Sequence, residues 1–190
     1  MPTAPQKFPN EALTGPHPRF YSGGKWEKVG KNGRSRPHPM FRGATKVTLD
    51  DKGRLVVPSR YRERLLERSA GQLVVTVDRD GDSLLIYPLA DWEPVQRELM
   101  QLPSLHAQSR RLQRLIVGHA TDLTLDAHGR MLLPLELREF AGLDRRAMLI
   151  GQGNRCELWD ESRWIERRDF WLKSEASATD LPAALDSLSL

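Results

Sequence analysis

The chain has 190 residues and a formal charge of +4, a length that supports one or two domains with a buried core. No apolar run approaches the ~18 residues of a membrane-spanning helix, and the first residues lack the apolar stretch of a signal peptide. The single Cys156 excludes an internal disulfide and suits a reducing compartment.

The charge is unevenly placed. Residues 1–39 hold seven Lys or Arg against two Glu, which leaves 22 basic and 23 acidic side chains in residues 40–190. A nucleic-acid surface in the second part therefore has to be a local patch. Residues 1–39 also hold seven of the thirteen prolines and show no apolar period, a composition that predicts disorder.

From Met40 the folding signals begin. Lys46-Val47-Thr48-Leu49 alternates as a strand, Asp50-Asp51-Lys52-Gly53 supplies a turn, and Arg54-Leu55-Val56-Val57 is a second strand. Pro58 suits the first turn of a helix in which Tyr61, Leu65 and Leu66 recur at helical spacing. Leu73–Val77 and Ser83–Tyr87 read as a hairpin around Arg79-Asp80-Gly81-Asp82. Asp91 is placed to cap a helix from Trp92 towards Met100; Pro103 ends it, and Ser104–Val117 reads as another, with Leu105 among its apolar positions. The order then returns: strand, turn, strand, a short helix to Phe140, strands at Ala147–Ile150 and Cys156–Trp159, and a last helix capped by Asp160 or Ser162. The tail after Ser174 is small and polar and is expected to be mobile.

This return is a sequence repeat. Ala44-Thr45, Leu49-Asp50, Gly53-Arg54-Leu55, Pro58 and Arg62 match Ala120-Thr121, Leu125-Asp126, Gly129-Arg130-Met131, Pro134 and Arg138, each 76 residues later. Tyr87 matches Trp159 and Trp92 matches Trp164 at an offset of 72, which assigns four extra residues to the first copy's hairpin. Two copies are too few for a solenoid. They fit two small halves that share one barrel about an approximate twofold axis, a form suited to a twofold or tandem partner such as DNA. The expected fold is mixed, mainly β with peripheral helices.

The two turns carry the chemistry. Gly53 and Gly129 allow a positive φ, and an Arg follows each. An Arg on a protruding turn can bind guanine O6 and N7 bidentately, while Lys52 neutralises phosphate. The same residues also make purely structural sense: Asp50 can cap its own turn and pair with Arg54. Both roles are compatible, since a paired Asp orients an Arg. Other signals are weaker. Asp78-Arg79-Asp80-Gly81-Asp82 lacks the spacing to a bidentate Glu that a calcium loop needs. Cys156 with His119 or His128 could form a nucleophile and base, but its apolar strand favours a buried inert thiol. Arg110, Arg111 and Arg114 read as a solvated face or an interface. No phosphate loop, metal-ligand spacing or catalytic constellation appears, so no cofactor, metal, small-molecule substrate or enzymatic activity is expected.

Met40-Phe41-Arg42-Gly43-Ala44, the turns Asp50-Asp51-Lys52-Gly53-Arg54 and Asp126-Ala127-His128-Gly129-Arg130, and Arg114-Leu115-Ile116-Val117-Gly118-His119-Ala120 together resemble the MraZ family over about residues 40–190. The resemblance implies tandem AbrB-like swapped-hairpin domains and a DNA-binding transcriptional regulator, usually a repressor of the division and cell-wall gene cluster. It also implies ring-like homo-oligomers in the cytoplasm, on the nucleoid, that bind TGGG promoter repeats. The family's Asp-x-x-x-Arg motif falls on Asp50 and Arg54 and on Asp126 and Arg130. The candidate DNA-binding set is Arg42, Asp50, Lys52, Gly53, Arg54, Asp126, Gly129 and Arg130. His128 stands where the first copy has Lys52, so the second turn either serves DNA or faces a neighbouring subunit. The domains are expected at 44–91 and 120–163, with a helical linker at 92–119 and a C-terminal helix and tail at 164–190.

Family members begin near the equivalent of Met40, so residues 1–39 are expected to be a misassigned start, translated from upstream DNA. Trp26-Glu27 forces one TGGG in the coding strand, and suitable codons at Val29-Gly30 and Asn32-Gly33 would give two more at ten-nucleotide steps. The alternative is a basic arm that adds phosphate contacts. Two other functions remain in view, an AbrB-like antitoxin and a non-DNA oligomeric scaffold.

Overall fold

The computed structural model describes residues 40–103 and 105–175. The disorder expected of residues 1–39 and the mobility expected of the tail concern residues outside that range, apart from Glu175, which ends a helix.

The first copy supplies β1 (Phe41–Thr48), β2 (Arg54–Val56), α1 (Ser59–Ser69), β3 (Gln72–Val77), β4 (Ser83–Pro88) and α2 (Leu89–Gln101). A linking helix α3 (Ala107–Ile116) follows. The second copy supplies β5 (Thr121–Thr124), β6 (Arg130–Leu132), α4 (Leu135–Phe140), β7 (Arg146–Gly153), β8 (Arg155–Asp160) and α5 (Glu161–Glu175). The helices α1 and α4 start directly after Pro58 and Pro134, whose fixed φ and missing N–H suit a helix entry and end the preceding strand.

The copies interleave. One six-stranded antiparallel sheet runs β1-β7-β8-β4-β3-β5, and β2 pairs with β6 in a separate two-stranded ribbon. Each copy's first strand thus pairs with the other copy's hairpin, Thr45 with Leu149 and Thr121 with Val75. The two hairpins also meet, β4 against β8. The expected barrel does not close among the described residues. The ribbon strands have three residues each, and the prolines that follow cannot extend the ladder. One bridge, Leu49 with Leu55, joins the first strand to the ribbon.

The register relocates the four extra residues. Matching Thr45–Leu149 with Thr121–Val75 sets the β3-to-β7 offset at 74, whereas β4 to β8 keeps 72. Two of the four therefore precede β3, where α1 has 11 residues and α4 has 6, and two lie in the turn between β3 and β4. With these offsets, Leu55 pairs with its own counterpart Met131, and Leu85 with its counterpart Glu157. Reciprocal pairing of equivalent residues is the signature of an approximate twofold axis, here passing through both pairs.

Alternate strand positions split the core in two. On one face, Val75, Ile86, Leu149 and Leu158 pack with Leu55, Val57, Met131 and Leu133 from the ribbon side and Tyr61, Leu65 and Leu137 from α1 and α4. On the other, Val74, Leu85 and Tyr87 pack under Trp92 and Ile116, and Met148, Ile150 and Trp159 under Trp164. The structure corrects two expectations in the linker region. Asp91 does not cap α2: the helix begins earlier, at Leu89 after Pro88, with the Ala90 N–H donating to Ser69 Oγ at 3.1 Å, and Asp91 pairs with Arg68 (Nε to Oδ2, 2.9 Å). Leu105 precedes α3 and is 90% exposed. Asp160 does cap α5, accepting from the N–H groups of Ser162 and Arg163.

Candidate nucleic-acid interface

The turn at Asp50 is closed by its own side chain. Oδ1 accepts the backbone N–H groups of Lys52 (3.0 Å) and Arg54 (2.9 Å), and Oδ2 accepts Arg54 Nε (2.7 Å). The second turn repeats this, with Asp126 Oδ1 accepting from His128 N and Arg130 N (both 2.9 Å) and Oδ2 from Arg130 Nε (2.7 Å). These bonds hold both carboxyls below the ordinary range, Asp126 down to about 2, with the backbone N–H of the following Arg as the main cause. Each Asp uses only the Nε edge of its Arg. The two terminal nitrogens of Arg54 and of Arg130 have no partner among the described residues.

The glycines do more than turn the chain. Gly53 and Gly129 have φ of 79° and 71°, and both are buried. A Cβ on Gly53 would lie 2.6 Å from Arg138 Nε, and one on Gly129 would overlap Arg62 Nε. Each turn is thus braced by an Arg from the helix of the other copy. Arg62 also donates through Nη2 to Val57 O (3.0 Å) and Arg138 through Nε to Leu133 O (3.2 Å). The ribbon finishes the brace: Val57 N donates to Gly129 O, and Leu133 N to Gly53 O, both at 3.0 Å.

Seven of the eight candidate residues therefore come together at the two ends of one ribbon. Lys52 and His128 are exposed at the turn tips. Arg42 does not join them. It lies near the start of β1, opposite Gln152, with its carbonyl accepting from the Tyr61 hydroxyl (3.2 Å), and the strand between it and Asp50 spans on the order of 25 Å. Arg62 and Arg138 lie outside the candidate set, although both sit in the repeat itself, eight residues after each turn's Arg. With them the site gathers Lys52, Arg54, Arg62, Arg130 and Arg138 against Asp50, Asp51 and Asp126, a local basic surplus on a body that is not basic.

The competing signals resolve structurally. Asp78–Asp82 forms the hairpin turn, with Asp78 N donating to Ser83 O and Gly81 N to Asp78 O, and Asp82 accepts from Arg167. Among the described residues no cluster of His, Cys, Asp and Glu is placed to hold a metal ion. Cys156 is buried and its thiol is pushed up to about 12, mainly by burial, so it carries no thiolate at neutral pH. No described helix is long and apolar enough to cross a membrane.

Two stretches of the chain, residues 40–115 and 116–185, each match the family described as "MraZ protein, putative antitoxin-like". The chain is 55% identical over 151 residues to the transcriptional regulator MraZ of Thioalkalivibrio sulfidiphilus, an alignment covering 80% of this chain and all of the relative. The proteins of the same name from Halorhodospira halophila (51% over 152 residues) and Pseudomonas aeruginosa (50% over 151) are likewise covered in full by 80% of this chain. With both repeats matched and half of the aligned positions identical along whole relatives, the chain belongs to the MraZ family.

Proposed function

We propose that this chain is a transcriptional regulator that reads duplex DNA through the paired turns at the ends of the β2–β6 ribbon. The observation that carries the reading is the cross-braced pair itself. Each Asp holds its Arg by one edge and leaves the terminal nitrogens free, the geometry that bidentate recognition of guanine O6 and N7 needs. Arg54 and Arg130 are assigned to bases, Lys52 to phosphate, and Asp50, Asp126, Gly53 and Gly129 to shaping the turns. Arg42, away from them, takes a separate phosphate contact. The ribbon from Gly53 to Val57 spans on the order of 13 Å, close to the ~12 Å width of the major groove.

The interleaved strands support an AbrB-like swapped-hairpin arrangement. Homo-oligomers would engage several promoter boxes at once and gain avidity, and autorepression follows if the oligomer covers its own promoter. The boxes are proposed to be TGGG repeats, some of them in the DNA that encodes residues 26–33. The test is an equilibrium titration of the full chain against the duplex encoding residues 20–39 and against one with the boxes scrambled. Tight, salt-sensitive binding to the first alone supports the reading; equal weak binding to both removes it. The antitoxin-like character ascribed to the family favours one second reading, a DNA-binding antitoxin, for which a toxin partner would co-purify with the chain.

A further inference from the structure

The outward face of the β2–β6 ribbon carries more than two arginines. Leu55 and Met131 point inward, 0% and 1% exposed, so Arg54, Val56, Arg130 and Leu132 share the outer face. Val56 and Leu132 are 52% and 56% exposed. They are equivalent positions, 76 residues apart. The register places Arg54 opposite Leu132 and Val56 opposite Arg130. Each guanidinium therefore has an aliphatic neighbour along its own strand and another across the ribbon, and the four-cornered pattern repeats about the Leu55–Met131 axis.

We infer that Val56 and Leu132 are specificity residues that contact thymine C5-methyl groups about two base-pair steps from the guanines taken by Arg54 and Arg130. The inference rests on the proposed DNA-binding role and names a further part of the same site. In the major groove thymine is the base that presents a methyl group, and an aliphatic side chain is its complement. Residues i and i+2 on a strand are about 6.7 Å apart, two base-pair steps of about 3.4 Å. Each strand of the ribbon thus sets a guanine contact and a thymine contact about two steps apart. A second protein copy is the poorer occupant. A stable protein interface buries about 800 Å² per partner, and here two aliphatic side chains are hemmed by Arg54 and Arg130, with Arg62 and Arg138 braced against the neighbouring turns.

The test is a double-mutant cycle between protein and DNA. The full wild-type chain and the V56A/L132A variant are each titrated against the TGGG-box duplex with thymine and against the same duplex with deoxyuridine in place of every thymine. Loss of a buried methyl contact corresponds to a roughly fourfold change in affinity. The wild type is expected to weaken by about that factor per contacted methyl on the deoxyuridine duplex. The variant is expected to weaken similarly on the thymine duplex and to lose almost nothing more on the other. Losses that simply multiply, or an absence of loss in either arm, overturn the assignment while leaving the regulator reading intact. A changed oligomeric mass of the variant by light scattering, with no coupling in the cycle, overturns it in favour of a contact between copies. Failure of the wild type to distinguish either duplex from a scrambled one removes the DNA-binding reading and this inference together.

Discussion

Leu85 and Glu157 occupy equivalent positions in the two copies and face each other across β4 and β8, one aliphatic and the other a carboxylic acid, both 6% exposed. Glu157 accepts from Trp159 Nε1 (3.0 Å) and lies 3.7 Å from Arg155 Nη2. Burial dominates and raises its pKa above the ordinary 4.5. A carboxyl with a raised folded pKa binds its proton more tightly in the native state, so stability is fullest below pH 4.5 and declines as pH rises through the folded value. E157Q keeps the acceptor for Trp159 without the charge. Its thermal midpoint is expected to gain on the wild type between pH 4 and 7, as calorimetry at the two pH values would register; an equal gap at both contradicts a buried charge at Glu157.

The acid limb should behave oppositely at the turns. Asp126 falls from 3.8 to about 2, so the stability of its turn is complete above about pH 4 and is lost as pH falls towards 2. Carboxyl chemical shifts followed by NMR should place the Asp126 midpoint near 2. A midpoint close to 4 would mean that the Asp–Arg pairing does not persist in solution.

G53A and G129A should both damage the turns, by about 1–2 kcal/mol from the left-handed backbone alone and more from displacement of the bracing arginines. G129A is expected to be the worse, since its new Cβ meets Arg62 more closely than a Cβ at Gly53 meets Arg138. Urea unfolding ranks the two directly.

Lys52 and Arg54 should separate in their effects. K52A is expected to weaken binding to all sequences alike and to lower the slope of log affinity against log salt by about one. R54K keeps the charge but not the planar fork, so it should retain salt-sensitive binding and lose discrimination worth about 1–3 kcal/mol per guanine contact. Titrations at several salt concentrations on specific and scrambled duplexes distinguish these patterns.

Local chemistry was legible in the sequence. Asp, Gly and Arg at fixed spacing define a turn whose bonds lie within five residues, and the strands and helices around it follow from short-range patterns. What the sequence left hidden depends on pairing between the copies. The brace of Arg62 on Gly129 and of Arg138 on Gly53 joins residues far apart in the chain, although both arginines stood in the repeat. The division of the four extra residues likewise emerges only from the Thr45–Leu149 and Thr121–Val75 register. Asp91 looked like a cap because caps are local; its partner Arg68 is 23 residues away.

Base-sequence reading is assigned to the Asp-held arginines. Equilibrium binding of R54A and R130A to the boxed and scrambled duplexes, with fold and assembly checked by circular dichroism and light scattering, tests it most directly. Each variant should fold and assemble as the wild type does, with R54A no longer distinguishing the two duplexes and R130A distinguishing them less. A correctly folded R54A that still discriminates the boxed duplex as well as the wild type would contradict the assignment.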